Sequence, residues 1–279
     1  MKNQITPCLW FDNKAKEVAE FYCSVFPETI ITSENHIVVT IETSGQKFIL
    51  LNGGPHFTIN PSVSFFVVYE TGKEVEEVWN LLMKGGSALM PLDQYDWSEK
   101  YGWVQDKFGV SWQISVGKKN EFGQKFSPSL MFTNKYAGKA EQAIRFYKSL
   151  FDESSIDRIE RYTANDFDVE GTIKFAQFRL GKQVFMAMDS SLSHAFSFNE
   201  AVSFVVDCKT QDEIDFYWDN LSAVPEAEQC GWLKDQFGVS WQIVPSILGE
   251  LMSDPSKSGK VIQAFMQMKK FDIEKLITA

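Results

Sequence analysis

Cysteine is sparse and scattered in this chain. The four thiols, Cys8, Cys23, Cys208 and Cys230, include no CxxC pair and no metal-ligand spacing. Reduced, buried thiols of a cytoplasmic protein are what such usage implies. No apolar run approaches the roughly 20 residues that a membrane span requires. The opening Met1-Lys2-Asn3-Gln4 lacks the apolar core and small-residue cleavage site of a signal peptide. No GxGxxG stands anywhere. The paired glycines, Gly53-Gly54 and Gly85-Gly86, fall after a strand break and at a helix end, so the phosphate-cradling loop of a nucleotide cofactor is not evident. Basic residues are in deficit, 27 Lys and Arg against 37 Asp and Glu for a net charge of -10, which argues against a nucleic-acid partner. The expectation is a soluble, acidic, cytoplasmic protein with neither a nucleic acid nor a membrane as its partner.

What the chain does have is repetition. Gly102-Trp103-Val104-Gln105-Asp106-Lys107-Phe108-Gly109-Val110-Ser111-Trp112-Gln113-Ile114 returns as Gly231-Trp232-Leu233-Lys234-Asp235-Gln236-Phe237-Gly238-Val239-Ser240-Trp241-Gln242-Ile243. Upstream, Phe21-Tyr22 answers to Phe146-Tyr147 and Val63-Ser64-Phe65 to Val202-Ser203-Phe204. Such self-similarity means two homologous domains. With 279 residues, 44% hydrophobic and 24 Phe, each can bury a core of its own.

Within the first copy, 5–11 is a short apolar strand, followed by Asp12 and Asn13 with N-cap chemistry. The spacing of Ala15, Val18, Ala19, Tyr22 and Phe26 predicts a helix over 14–26, ended by Pro27. The β-branched run 37–43 and the stretch 47–51 read as a hairpin. The order then restarts with a strand over 63–69, a helix over 73–84, and strands 103–106 and 111–116. Each copy is thus two strand–helix–hairpin modules. The second copy shortens the segment 85–101, with its Tyr95 and Trp97, to 223–230. After Ile247 an amphipathic helical tail is expected, capped by Asp254 and carrying the apolar stripe Val261, Ile262, Phe265, Met266 and Met268, with a short helix from Asp272.

The arrangement resembles the vicinal oxygen chelate superfamily, which includes glyoxalase I, the bleomycin-resistance proteins and the extradiol dioxygenases. It looks most like the PhnB-like group labelled 3-demethylubiquinone 3-methyltransferase-like, through Pro7-Cys8-Leu9-Trp10-Phe11, Trp97-Ser98-Glu99-Lys100-Tyr101-Gly102-Trp103, Phe198-Asn199-Glu200-Ala201-Val202-Ser203-Phe204 and the tail. The resemblance implies an α+β fold. It would comprise two tandem glyoxalase-like domains, 1–120 and 125–248, each of paired βαβββ modules forming a curled, mostly antiparallel sheet around a cavity, then C-terminal helices over 249–279. It also implies a pseudo-dimer within one chain, with a monomer or a further homodimer both left open.

Active members of that superfamily hold a divalent ion with two His and two Glu or a close variant. Two such sites need four His, and this chain has three: His36, His56 and His194. The implied ligand positions fall at or near Thr6, in Phe48–Leu51 and Phe185–Met188, on Ser62 and Ala201, and on Gln113 and Gln242. Neutral groups cannot offset the cost of dehydrating a divalent ion, so no metal and no other cofactor is expected.

The turn Asp106–Gly109, taken as a four-residue loop, sets Trp103 opposite Trp112 and Gly102 opposite Gln113. That places Gln113, Ser111 and Val104 on the cavity face, with the two Trp packed on the other. Asp106 and Asp235 read as turn residues. His56 and His194 lie on loops joining modules, where a histidine is either solvated or at a cavity mouth, with Asn52 or Asp189 nearby. The expected ligand-binding set is Gln113, Ser111, His56 and Trp97, with Gln242, Ser240, His194, Asp189 and Met188. No catalytic residue is assigned. The reading is a metal-free protein that binds or sequesters a small apolar or aromatic molecule. The alternatives are a metal-dependent lyase or dioxygenase and, disfavoured, a methyltransferase.

Overall fold

The computed structural model describes residues 3–279. The first module comprises β1 (Ile5–Phe11), α1 (Ala15–Val25), β2 (Thr29–Glu34), β3 (Val38–Thr43) and β4 (Gln46–Asn52). The second comprises β5 (Val63–Tyr69), α2 (Gly72–Leu82), β6 (Ser87–Tyr95), β7 (Ser98–Gln105) and β8 (Ser111–Val116). A short α3 (Lys119–Phe122) leads into the second copy. Its modules are β9 (Phe126–Phe132), α4 (Ala140–Leu150), β10 (Ser155–Arg161), β11 (Ile173–Leu180) and β12 (Gln183–Asp189), then β13 (Val202–Cys208), α5 (Gln211–Leu221), β14 (Trp232–Lys234) and β15 (Ser240–Pro245). The tail carries α6 (Leu248–Ser253), α7 (Ser258–Phe265) and α8 (Ile273–Ile277). Among the described residues, no helix is long and apolar enough to cross a membrane.

Helix starts show how far local chemistry reaches. Thr71 and Glu74 form a reciprocal capping box on α2. The start of α1 is different. The Ala15 amide donates to Oδ1 of Asn52 at 2.9 Å, so a side chain from β4 does the work expected of Asp12 or Asn13. Asp189, the counterpart on β12, takes the Ala140 amide at the start of α4 at 3.0 Å.

The two sheets are assembled across the copies. The seven-stranded sheet runs β14-β15-β13-β1-β4-β3-β2 and the eight-stranded one β10-β11-β12-β9-β5-β8-β7-β6. Each therefore joins the first module of one copy to the second module of the other, through antiparallel β1–β13 and β5–β9 seams. Reciprocal loop bonds accompany them, Asn60 donating to the Ser197 carbonyl and Asn199 to the Thr58 carbonyl. The repeats are units of sequence, while the sheets are shared. One continuous core lies beneath the helices and includes Phe26, Phe65, Trp112, Phe132, Phe178, Phe204 and Trp241.

The tail meets the seven-stranded sheet just before β14. β6 borders β7 in one sheet, but the second copy has no such strand. There the carbonyls of Met268 and Lys269 accept the Cys230 and Gly231 amides, both at 2.8 Å. α7 starts at Ser258, after a turn over 255–257 in which Asp254 Oδ1 accepts the Ser256 amide as a capping side chain does.

Candidate functional site

Alternation along the strands gives each sheet a helix-facing side and an opposite side. The hairpin register decides which residues share the opposite side. Trp103 pairs with Gln113, Val104 with Trp112 and Gln105 with Ser111. This corrects the four-residue loop: the Asp106 amide bonds to the Val110 carbonyl, which makes a five-residue loop and shifts every partner by one. Trp103 accordingly joins Gln113 and Ser111, while Val104 and Gly102 face the helices with Trp112. A Cβ at Gly102 would meet the Trp79 ring at 2.5 Å, so this glycine makes room for α2 and not for a ligand.

Asp106 and Asp235 hold these loops together. The Asp235 carboxylate accepts from the Tyr147 hydroxyl at 2.7 Å, the Trp241 indole at 2.8 Å and the Phe237 and Val239 amides. Asp106 does the same for Tyr22, Trp112, Phe108 and Val110. Burial pushes the Asp235 carboxyl up to about 6 against those four hydrogen bonds, and Asp106 moves the same way for the same reason.

On the opposite side, the two sheets carry the same small constellation. In the eight-stranded sheet, Gln113 Nε2 donates to Ser64 Oγ at 2.8 Å and Ser129 Oγ at 3.3 Å, and its Oε1 accepts from the Tyr101 hydroxyl at 2.8 Å. In the seven-stranded sheet, Gln242 Nε2 donates to Ser203 Oγ at 2.9 Å, and the buried Cys8, counterpart of Ser129, adjoins both. Burial pushes the Cys8 thiol up to about 12, although hydrogen bonding to Gln242 and Ser203 opposes the rise.

The surroundings of the two constellations differ. Gln113 is buried beneath a cluster of Phe66, Val68, Tyr101, Val184 and Met186, with Trp103 and Phe122 of α3 packed against it. The Trp103 indole is spent on Ser111 Oγ at 2.9 Å. Gln242 is half-buried. Beside it, Trp10 and Trp232 stand edge-to-face with ring centroids 6.0 Å apart, and Phe57 meets Trp10 at 5.1 Å. A Lys234–Glu200 pair at 2.7 Å follows on β14.

The remaining sequence-derived candidates do not converge on one place. Trp97 is 58% exposed on the β6–β7 hairpin, stacked on Tyr95 and edge-on to Tyr101. His56 is exposed in the turn after β4. His194 meets Ser190 Oγ through Nε2 at 2.8 Å. Met188 is half-buried on β12, and Ser240 is buried with its Oγ directed to the Asn199 carbonyl at 3.4 Å. Asp189 is committed within the fold, its two oxygens taking the Ala140 and Ile173 amides and joining α4 to β11. Cys8, Ser64, Ser203, Trp10 and Trp232 were missed. Their signal lay in the repeat, where Pro7-Cys8 matches Pro128-Ser129 and Ser64 matches Ser203.

The metal positions implied by resemblance do not fit a divalent ion. Thr6, the stretches Phe48–Leu51 and Phe185–Met188, Ser62, Ala201, Gln113 and Gln242 offer no carboxylate and no imidazole, and the Gln113 oxygen already accepts from Tyr101. Among the described residues, no three His, Cys, Asp or Glu side chains come together to hold a metal.

A family model described as 3-demethylubiquinone-9 3-methyltransferase matches residues 3–115 and again 124–244. No curated protein matches the chain. Among solved structures, the PhnB protein of Bacillus cereus is 36% identical over 40% of this chain and 98% of its own, with a TM-score of 0.38. Glyoxalase I of Zea mays covers 90% of this chain and 96% of its own at a TM-score of 0.57 and 11% identity, a likeness of fold.

Proposed function

We propose that this chain, which belongs to the 3-demethylubiquinone-9 3-methyltransferase family, binds a small apolar or aromatic molecule on the open side of its seven-stranded sheet, without a metal ion. The observation that carries this reading is the half-buried Trp10–Trp232 pair standing beside Gln242, Ser203 and Cys8. Aromatic edges supply apolar contact area, and a few fixed polar groups supply orientation, which is the usual composition of a small-molecule site. The Gln242 carbonyl oxygen, with no donor on it among the described residues, is free to accept from a ligand hydroxyl or amine. The counterpart side, around Gln113, is packed with the protein's own side chains and is assigned a structural role. The family's description names a methyl transfer, and we do not carry it over, because no Gly-rich strand-to-helix loop offers a nucleotide-type cofactor a seat. The scattered thiols agree with a cytoplasmic location.

Titration with 1-anilinonaphthalene-8-sulfonate, read by tryptophan quenching, tests the reading. Saturable quenching is expected, lost in Trp232→Ala and unchanged by added Zn²⁺, Ni²⁺ or Mn²⁺. Stoichiometric retention of any of these ions in native mass spectrometry would overturn the metal-free part. Equal quenching in Trp232→Ala would overturn the site.

A further inference from the structure

At the margin of the packed side around Gln113, with Val68 common to both, a cleft of about 730 Å³ opens where the β3–β4 turn approaches the end of β5. Four carboxylates line it, those of Glu28, Glu42, Glu70 and Glu74, against the two ammonium groups of Lys119 and Lys125. Lys125 already rests over the Tyr69 ring, its Nζ 4.3 Å from the centroid. Glu28 and Glu74 each commit Oε2 internally, to Ser44 and to Thr71, leaving the other oxygen without a donor among the described residues. Glu42 and Glu70 make no ion pair among the described residues. The lining therefore carries a surplus of negative charge.

Tyr69 supplies the second observation. It is 3% exposed, lines the cleft, and its hydroxyl has no hydrogen-bond partner. Burial holds the phenol well above its ordinary range, and the charges of Glu74 and Glu28 add to the rise. An orphaned buried hydroxyl is costly to a fold. The fold does not require this one, since the counterpart strand β13 ends in Cys208, at the register position Tyr69 holds on β5. Nor is the acidity inherited, because Glu70 is answered by Lys209 in the other copy.

The carboxylates do not gather around one point, since no three acidic groups among the described residues are placed to share a metal ion. Separated negative charges with a neutral oxygen acceptor at the base suit an extended organic cation. We propose that this cleft binds an alkyl diamine or polyamine, one ammonium donating to Tyr69 Oη and to the adjacent Glu28 and Glu74, the other facing Glu42 and Glu70. Charge-assisted hydrogen bonds of this kind are the stronger class. This site stands independently of the one proposed above.

Calorimetric titration of the full chain with 1,4-diaminobutane at low ionic strength tests it, with 1,4-butanediol and CaCl₂ run alongside. Saturable one-site binding of the diamine is expected, with no binding of the diol. Tyr69→Phe should weaken the diamine roughly tenfold. Its melting temperature should not fall, because the change removes an unpartnered hydroxyl and nothing else. The double change Glu42→Gln with Glu70→Gln should weaken binding further, while Glu250→Gln, on α6, should leave it unchanged. Equal binding to Tyr69→Phe, equal loss in Glu250→Gln, calcium binding as tight as the diamine, or no saturable binding would each overturn the proposal.

Discussion

The most demanding single residue is Asp235, a fully buried carboxylate that anchors a loop by accepting four donors. Its type and spacing announced a turn, but the reach of its second oxygen to Tyr147, 88 positions earlier, is tertiary and had no local trace. Replacing the carboxylate by an amide turns a donor toward the Trp241 indole or the Tyr147 hydroxyl, so Asp235→Asn should destabilise by roughly 2–4 kcal/mol. The pH dependence carries its own sign. The folded carboxyl titrates at about 6, above the roughly 3.9 of an unfolded chain. Between those values the native state binds more protons than the unfolded state, so the contribution is fully present below about pH 4 and is lost as pH rises through about 6. Denaturant melts of the wild type and Asp235→Asn should show a stability gap that is widest at about pH 4 and below and narrows toward pH 7.5, by on the order of 2 kcal/mol. A gap that stayed constant or widened would refute the assignment.

Elements were legible where their patterns are local. Helix α1 follows the Ala15, Val18, Ala19 and Tyr22 spacing, and all four are buried. The hairpin register was not legible, because the difference between a four- and a five-residue loop lies in the Asp106–Val110 bond, and a shift of one residue exchanges the two sides of a strand. The tail's partner was equally hidden: an apolar stripe announces that something will be covered without saying what. In the fold the tail lies beside the start of β14, its Met268 and Lys269 carbonyls taking the Cys230 and Gly231 amides. Gly231, at φ +83°, leaves the space that the Phe271 ring occupies, an added Cβ there meeting the ring at 2.4 Å. Phe271 and Leu276 are buried, whereas Ile277 is 49% exposed. Phe271→Ala should therefore cost about 3–5 kcal/mol and Leu276→Ala about 2–5, while Ile277→Ala stays within about 0.5. Chemical denaturation of the three variants checks the ranking, and a tail that merely hangs on the surface would make all three equal.

At the scale of the molecule, the repeat was plain in the sequence while its use was not. Two near-identical copies do not say whether each module pairs with its own neighbour or with the other copy, since the edges presented by β1 and β9, or by β5 and β13, are chemically alike. The same limit held for the candidate site. Gln113 and Gln242 were picked out by their shared place in the hairpin, but the groups they bond come from strands of both copies, Ser129 for one and Cys8 for the other. A consequence follows for the chain cut between its copies. Residues 1–120 alone would leave the β1 and β5 seams unpaired, two exposed strand edges of the kind that pair with another chain. Because β5 matches β13 and β1 matches β9, a second copy of the fragment can supply both missing partners about a two-fold axis. The fragment 1–120 should accordingly fold as a homodimer with two sheets, and light scattering should give twice the chain mass. Mixed with 121–279, it should exchange into a one-to-one complex, since that pairing restores the native seams and the tail. A stable, folded monomer of 1–120 would mean that each copy can close its own sheet, and the cross-copy seams would then be an accident of the linkage, not the condition of folding.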